Sequence, residues 1–393
     1  MKYVVVVPDG ASDDPLDELD GRTPLEKARK PNMDLLAREG RIGLARTVPE
    51  GMHPGSDVAM LSVLGYDPAL NYSGRAPLEA ASIGVSLDPS DVAFRCNLVT
   101  VEGDTLVDYS AGEVSSDEAR ALMALISEKL SGSRIEFYPG VSYRNLMVWR
   151  GGSAEVRTVP PHDIMGQPIE PNLPEGDGAD RLRSLMAASR ELLESHDVNK
   201  RRLDDGKRPA NMIWFWGQGR APRLKSFVVR FGVPGCTIAA VDLVRGISAL
   251  AGLAIPKVPG ATGNLETDFD AKARAAINAL ERYGFVLVHV EAPDEAAHHA
   301  DIEAKIWAIE QVDQKVLGPI MSVLRKGGPH RIMLLPDHPT KIRSRTHAAD
   351  PVPFVLAGDG IRARGGAAFC EAAAEESGLL IEEGHRLIEE LFA

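Results

Sequence analysis

Cysteine is scarce: Cys96, Cys236 and Cys370 are far apart and form no CxxC pair. An odd, dispersed set excludes a disulfide framework and a thiolate zinc site, and points to a reducing compartment. Long apolar runs are also missing. Nothing approaches the ~20 residues of a membrane span, and the first run, Tyr3–Val7, stops at Pro8 and Asp9, too short for a signal peptide. A cytoplasmic protein with no membrane partner is the expectation. Positive charge is in deficit, with 44 Lys and Arg against 56 Asp and Glu and a net charge of −12. That composition excludes a general nucleic-acid binder, because phosphate backbones reward basic faces. A phosphate-cradling Gly-x-x-x-x-Gly-Lys-Ser/Thr loop is absent too: Gly206-Lys207 lacks the rest of the motif. There is no internal repeat or low-complexity tract.

What is present is an ordinary globular composition, 44% hydrophobic and 25% charged over 393 residues, enough for two or three domains. Tyr3–Val7 reads as a buried parallel strand, being β-branched without polar alternation. Residues 211–215, 236–241, 284–290 and 331–335 are further short strands. Helical patterns cover 29–40, 242–253, 268–283 and a long stretch, 301–326, with apolar residues at steps of three and four. Alternating strands and helices predict an α/β fold, a mostly parallel sheet covered on both faces by helices. Residues 72–180 differ, with shorter strands (94–101, 135–138, 146–149) and a Pro- and Gly-rich loop over 161–180. We read this segment as a smaller α+β domain inserted into a discontinuous core, 1–71 and 181–393.

Seven residues carry chemistry. Asp9 follows the first strand, where a carboxylate beyond a strand's carboxyl end suits a hard divalent cation; a turn-capping Asp is the plain alternative. Ser56, in HPGSDVAM, opens a helical pattern, so its hydroxyl faces a helix start that favours an anion. It is a nucleophile if a base or metal takes its proton, and otherwise an N-cap. Asp294 and His298, in PDEAAHH, are four apart and share a helix face. His299 points elsewhere, and His289, inside an apolar strand, reads as a satisfied core histidine. Asp337 and His338 follow an apolar strand between Pro336 and Pro339, and serve either two metals or one metal and a substrate oxygen. His347 follows in RTHAADPVPF. Mixed Asp and His donors without Cys suit Mn²⁺, Zn²⁺, Co²⁺ or Mg²⁺.

The order Asp, Ser, Asp-x-x-x-His, Asp-His, His resembles the alkaline phosphatase superfamily. DGRTPLEKA, MHPGSDVA, GRAPLEA, AVDLVRGI, PGATGNLETD, VEAPDEAAH and THAADPVPF resemble more closely the archaeal-type cofactor-independent phosphoglycerate mutases, over nearly the whole chain. The resemblance implies an alkaline-phosphatase-like core and two divalent metal ions, with no 2,3-bisphosphoglycerate. Asp294, His298 and His347 would hold one ion, and Asp9, Ser56, Asp337 and His338 the other. Ser56 would take the phosphoryl group, giving a phosphoserine intermediate between 3-phosphoglycerate and 2-phosphoglycerate. The inserted domain would position a small phosphorylated hydroxy acid, with Arg75, Arg95, Arg144 and His162 as anion or hydroxyl contacts; guanidinium forks suit phosphate and carboxylate.

The chain departs from the family pattern at Met60, where Asn is frequent, and at Glu113 and Asn145, where His is frequent. Two of these fall in the insert, so they bear on the acceptor. A homoserine-kinase-like phosphotransferase using ATP, or a phosphatase, are the alternatives. A non-catalytic metal-binding protein is disfavoured because no ligand is missing.

Overall fold

Val4 to Val7 are fully buried, each worth about 1.5–3 kcal/mol of apolar burial, and they form the centre of a sheet as their unbroken β-branched run requires. The structure, a computed structural model, describes residues 1–364 and 366–393. In chain order its strands are β1 (Lys2–Pro8), β2 (Arg41–Ala45), β3 (Val92–Glu102), β4 (Thr105–Asp108), β5 (Ile135–Val141), β6 (Arg144–Trp149), β7 (Met212–Gly219), β8 (Gly235–Ile238), β9 (Phe285–Val290), β10 (His330–Leu334), β11 (Thr340–Lys341), β12 (Thr346–His347), β13 (Val352–Gly358) and β14 (Leu380–Ile381). Two compact units divide the chain: Met1–Tyr72 with Arg223–Ala393, and Ser73–Pro222.

The first unit holds a seven-stranded sheet in the order β14-β2-β13-β10-β1-β9-β8. β1 pairs in parallel with β9 and β10, and β8 with β9. β13 alone runs against its neighbours, pairing antiparallel with β10 and β2. The expected α/β architecture with a mostly parallel sheet is therefore present. Apolar faces of the helices Pro31–Glu39, Phe269–Arg282 and Gly318–Gly327 bury against alternate residues of β1 and β9, namely Val4, Val6, Val286 and Val288. The helix expected over 301–326 runs from Ile302 to Gly327, but Val312–Leu317 is wound as a π-helix. Pro319 begins the next turn without an N–H, so the α ladder cannot pass through it unbroken.

The second unit is an antiparallel sheet, with β3 between β6 and β7 and with β4 and β5 at the edges. Residues 181–222, expected in the core, lie in this unit. Strand β7 pairs with β3 from Val99↔Met212 to Ala93↔Gly219, and Leu182, Leu185 and Met186 of the helix Ala179–Glu194 share its apolar core. Asn145, one of the departures noted above, is buried and tied to its own hairpin. Its Oδ1 accepts from Gly140 N at 3.0 Å and its Nδ2 donates to Tyr143 O at 3.2 Å, which spans the β5–β6 register shift.

Candidate active site

Three adjacent parallel strands, β10, β1 and β9, deliver their following residues to one end of the sheet, where ligands gather in open α/β folds. Asp9 follows β1, Asp294 lies just past β9, and Asp337 and His338 follow β10. Gly10 makes this crowding possible. Its φ is +63°, and a Cβ there would fall 2.6 Å from Thr340 Oγ1 and 2.8 Å from Asp294 Cα, so any side chain would displace a site residue.

Ser56 is the first residue inside the helix Ser56–Val63, with Gly55 at the cap and no side-chain cap bond. The N-cap alternative is thereby removed. The hydroxyl instead lies 3.1 Å from His338 Nε2 and 3.4 Å from Asp9 Oδ2. Its neighbour Asp57 is buried and accepts from the Tyr72 hydroxyl.

Asp294 and His298 share a face of the helix Ala292–His298, as their spacing predicts, with His298 Nε2 3.2 Å from Asp294 Oδ2. His347, brought across from Thr340 by the β11–β12 hairpin, puts Nε2 3.4 Å from Asp294 Oδ1. His338 Nε2 lies 3.6 Å from Asp9 Oδ1 and 3.5 Å from Asp337 Oδ2. The His338 and His347 rings are 4.2 Å apart, so the seven predicted residues form one cluster. His299, as expected, lies outside it, exposed and paired with Glu295.

Charge is not balanced here. Burial, then the Asp337 and Asp294 carboxylates, push Asp9 well above the usual carboxylate range. Burial would also raise Asp337, but His338 and a hydrogen bond from Asp9 outweigh it and hold Asp337 low. The two thus act as a pair sharing one proton. Burial would raise Asp294 as well, yet hydrogen bonds from His298 and His347 hold it well below its ordinary value. The Asp294 hydrogen bond, working against burial, raises His298 to about 9. Asp9 Oδ1 and Asp337 Oδ2 are buried without a hydrogen-bond partner. Orphaned carboxylate oxygens beside imidazole nitrogens, with no thiol, fit divalent cations.

Two residues beside the cluster were not foreseen, the first of them held by a third, Lys305. Thr340 is fully buried; its hydroxyl donates to Asp294 Oδ1 and accepts from His338 Nδ1 at 3.2 Å. A threonine hydroxyl has one proton, and an ionised Asp294 can only accept it, so His338 is protonated on Nδ1 and turns a lone pair on Nε2 towards Ser56. Lys305, also fully buried, holds Thr340 in place by donating to its carbonyl at 2.7 Å, to Asp13 Oδ2 at 2.7 Å and to Ser12 O at 3.2 Å. The second is His289. It is fully buried on β9, but it is not satisfied: neither ring nitrogen has a hydrogen-bond partner among the described residues, and burial lowers its pKa to about 4.

The four expected substrate contacts all lie in the second unit. Arg95, on β3, is buried, forms a fork with Glu79 at 3.1 Å through both Nε and Nη2, and sits 4.3 Å over the Trp216 ring. Burial lowers its pKa, and the positive charges of Arg75 and Arg144 lower it further. His162 packs edge-on against Trp216 at 5.2 Å and Tyr109 at 6.1 Å. Arg144 is exposed beside the Tyr143 ring. Arg75 and Arg144 are thus close enough to Arg95 for their charges to act on it.

A family model described as 2,3-bisphosphoglycerate-independent phosphoglycerate mutase matches residues 37–199. The chain is 54% identical to a probable 2,3-bisphosphoglycerate-independent phosphoglycerate mutase of Geobacter sulfurreducens, over 99% of each chain. It is 52% identical to a protein of Methanothrix thermoacetophila with that same description, over 100% of both. Among solved structures, a Pyrococcus horikoshii protein matches with a TM-score of 0.84 and 30% identity, over 99% of this chain and 96% of that one. The cofactor-independent phosphoglycerate mutase of Thermoplasma acidophilum matches with a TM-score of 0.70 and 27% identity, over 100% and 99%.

Proposed function

The chain belongs to the family of 2,3-bisphosphoglycerate-independent phosphoglycerate mutases, and from this membership we infer that it interconverts 3-phosphoglycerate and 2-phosphoglycerate with Ser56 as the phosphoryl carrier. The observation that carries the assignment of Ser56 is its hydroxyl, 3.1 Å from His338 Nε2 at the start of a helix and free of any capping role. Asp294, His298 and His347 would hold one divalent ion, and Asp9, Ser56, Asp337 and His338 the other. When bound, such ions lower the pKa of a hydroxyl and neutralise charge on a phosphoryl group in transfer.

In the forward direction the Ser56 oxygen attacks phosphorus in line, and the bond to the substrate's 3-oxygen breaks. The proton given up by Ser56 ends on that oxygen, leaving phosphoserine and glycerate. Glycerate reorients, its 2-oxygen attacks the phosphoserine, and the 2-hydroxyl proton returns to Ser56. Free N–H groups of the helix start suit the anionic phosphoryl group, and most of the rate would come from positioning and charge complementarity. The guanidinium groups of Arg75, Arg95 and Arg144, with the imidazole of His162, suit the substrate's carboxylate and hydroxyls. No helix among the described residues is long and apolar enough to cross a membrane, and the three cysteines are buried and unpaired, which supports a reducing, cytoplasmic setting.

Trapping the phosphoenzyme tests the reading. Wild-type protein quenched in turnover should gain one phosphate on the peptide containing Ser56, and Ser56→Ala should lose turnover by at least about a thousandfold while keeping its fold. A Ser56→Ala enzyme that still turns over would end it.

A further inference from the structure

His289 is the fifth residue of the strand FVLVHV, fully buried beside Asp9. An unpartnered buried polar group costs about 1–3 kcal/mol, so an imidazole with two idle nitrogens is an expensive core residue unless something binds it. Its Nε2 lies 3.1 Å from Asp9 Oδ2, yet the two do not align as a hydrogen bond. One donor atom each from Asp9, His289 and Asp337 lies within 4.8 Å of the others, and all three side chains are buried. Asp9 Oδ1 and Asp337 Oδ2 are idle as well. The backbone of His289 is pinned: its carbonyl accepts from the buried Lys272 Nζ at 3.1 Å.

We propose that His289 is a metal ligand through Nε2, completing with Asp9 and Asp337 the site of a divalent cation. The proposal rests on the reading that these two carboxylates hold an ion, and it adds an imidazole whose setting inside an apolar strand points to no ligand. A general-base role does not suit it, because the Ser56 hydroxyl lies against His338 Nε2 and Asp9 Oδ2 and not against His289. A plain core role would leave both nitrogens unexplained. The chemical consequence is selectivity. A second imidazole beside His338 shifts the donor set towards nitrogen, favouring Zn²⁺ or Co²⁺ over Mg²⁺, which prefers oxygen ligands and retained water.

The direct test is anomalous diffraction, at the zinc edge, from crystals of the full chain soaked in Zn²⁺. The expected result is an ion contacting Asp9 and Asp337 with His289 Nε2 at about 2.0–2.1 Å. An ion on those carboxylates with Nε2 beyond about 3 Å would overturn the ligand role and leave the two-carboxylate site standing. No ion there would overturn both. Titration of His289→Gln with Zn²⁺ supplies a solution readout. Glutamine can hydrogen-bond to Asp9 but replaces imidazole poorly as a ligand, so affinity at one site should weaken about tenfold or more, with the other unchanged. Unchanged affinity at both sites would contradict the proposal.

Discussion

The Nε2 atoms of His298 and His347 stand 3.0 Å apart. His298 donates from Nδ1 to the Arg345 carbonyl at 2.9 Å, so in the neutral ring its Nε2 carries a lone pair that faces His347 Nε2. Two ring nitrogens this close need a proton or a cation between them. Asp294 supplies an oxygen to each ring, at 3.2 and 3.4 Å. In the metal-free protein a proton on His298 serves this purpose, and an ion would displace it.

A pH dependence with a definite sign follows. His298 is raised to about 9 by Asp294, above the 6.5 of an unperturbed imidazole. Its pairing with Asp294 therefore stabilises the metal-free fold fully below about pH 6.5 and ceases to do so as pH rises through about 9. Metal binding at neutral pH must release that proton, so affinity should rise with pH up to about 9. Calorimetry in buffers of different ionisation enthalpy should report about one proton released per ion at this site at pH 7. A binding heat independent of buffer would contradict the assignment.

Thr340→Val removes the hydroxyl that joins Asp294 to His338 while keeping the shape. His338 then loses the partner that fixes its tautomer, and Asp294 loses a donor. Metal affinity and mutase rate should each fall by about 10–100-fold, with little change in melting temperature. Wild-type affinity in this variant, measured by metal titration, would show that the hydroxyl does not orient the ligands.

Arg95 and Arg144 should separate by what they break. Arg95→Ala removes both arms of the Arg95–Glu79 fork from a largely buried site, and breaking such a pair costs about 3–5 kcal/mol, so chemical denaturation should show a large loss. Arg144 is exposed, and Arg144→Ala should leave stability within about 0.5 kcal/mol while raising KM about tenfold or more through a lost substrate charge. Equal KM values for Arg144→Ala and wild type would remove Arg144 from the substrate contacts.

The sequence made the active cluster legible because most of its seven members follow an apolar strand or open a helix within a short polar motif. Asp294 and His298 needed only helical periodicity to be placed together. Thr340 escaped because a threonine after Pro339 reads as turn material, and nothing local says that β10 and the Ala292–His298 helix converge on it. His289 escaped because β9 is buried on both faces, so the alternation that would single out one face is erased. Strands β2 and β13 carry Gly43 and Pro353 inside short apolar runs and do not announce themselves. The reach of the second unit to Pro222 was hidden for a related reason. Strand β7 continues the strand–helix rhythm of the core, and its pairing with β3 is a long-range fact that no window of sequence contains.

We infer that one metal-dependent serine centre moves a phosphoryl group within phosphoglycerate. The most direct test is a mutase assay on metal-stripped protein, following 2-phosphoglycerate formed from 3-phosphoglycerate with no 2,3-bisphosphoglycerate added. No turnover is expected until a divalent ion such as Mn²⁺ is restored, then full turnover that Ser56→Ala lacks. Metal-replete protein that forms no 2-phosphoglycerate, or that only releases inorganic phosphate, would contradict it.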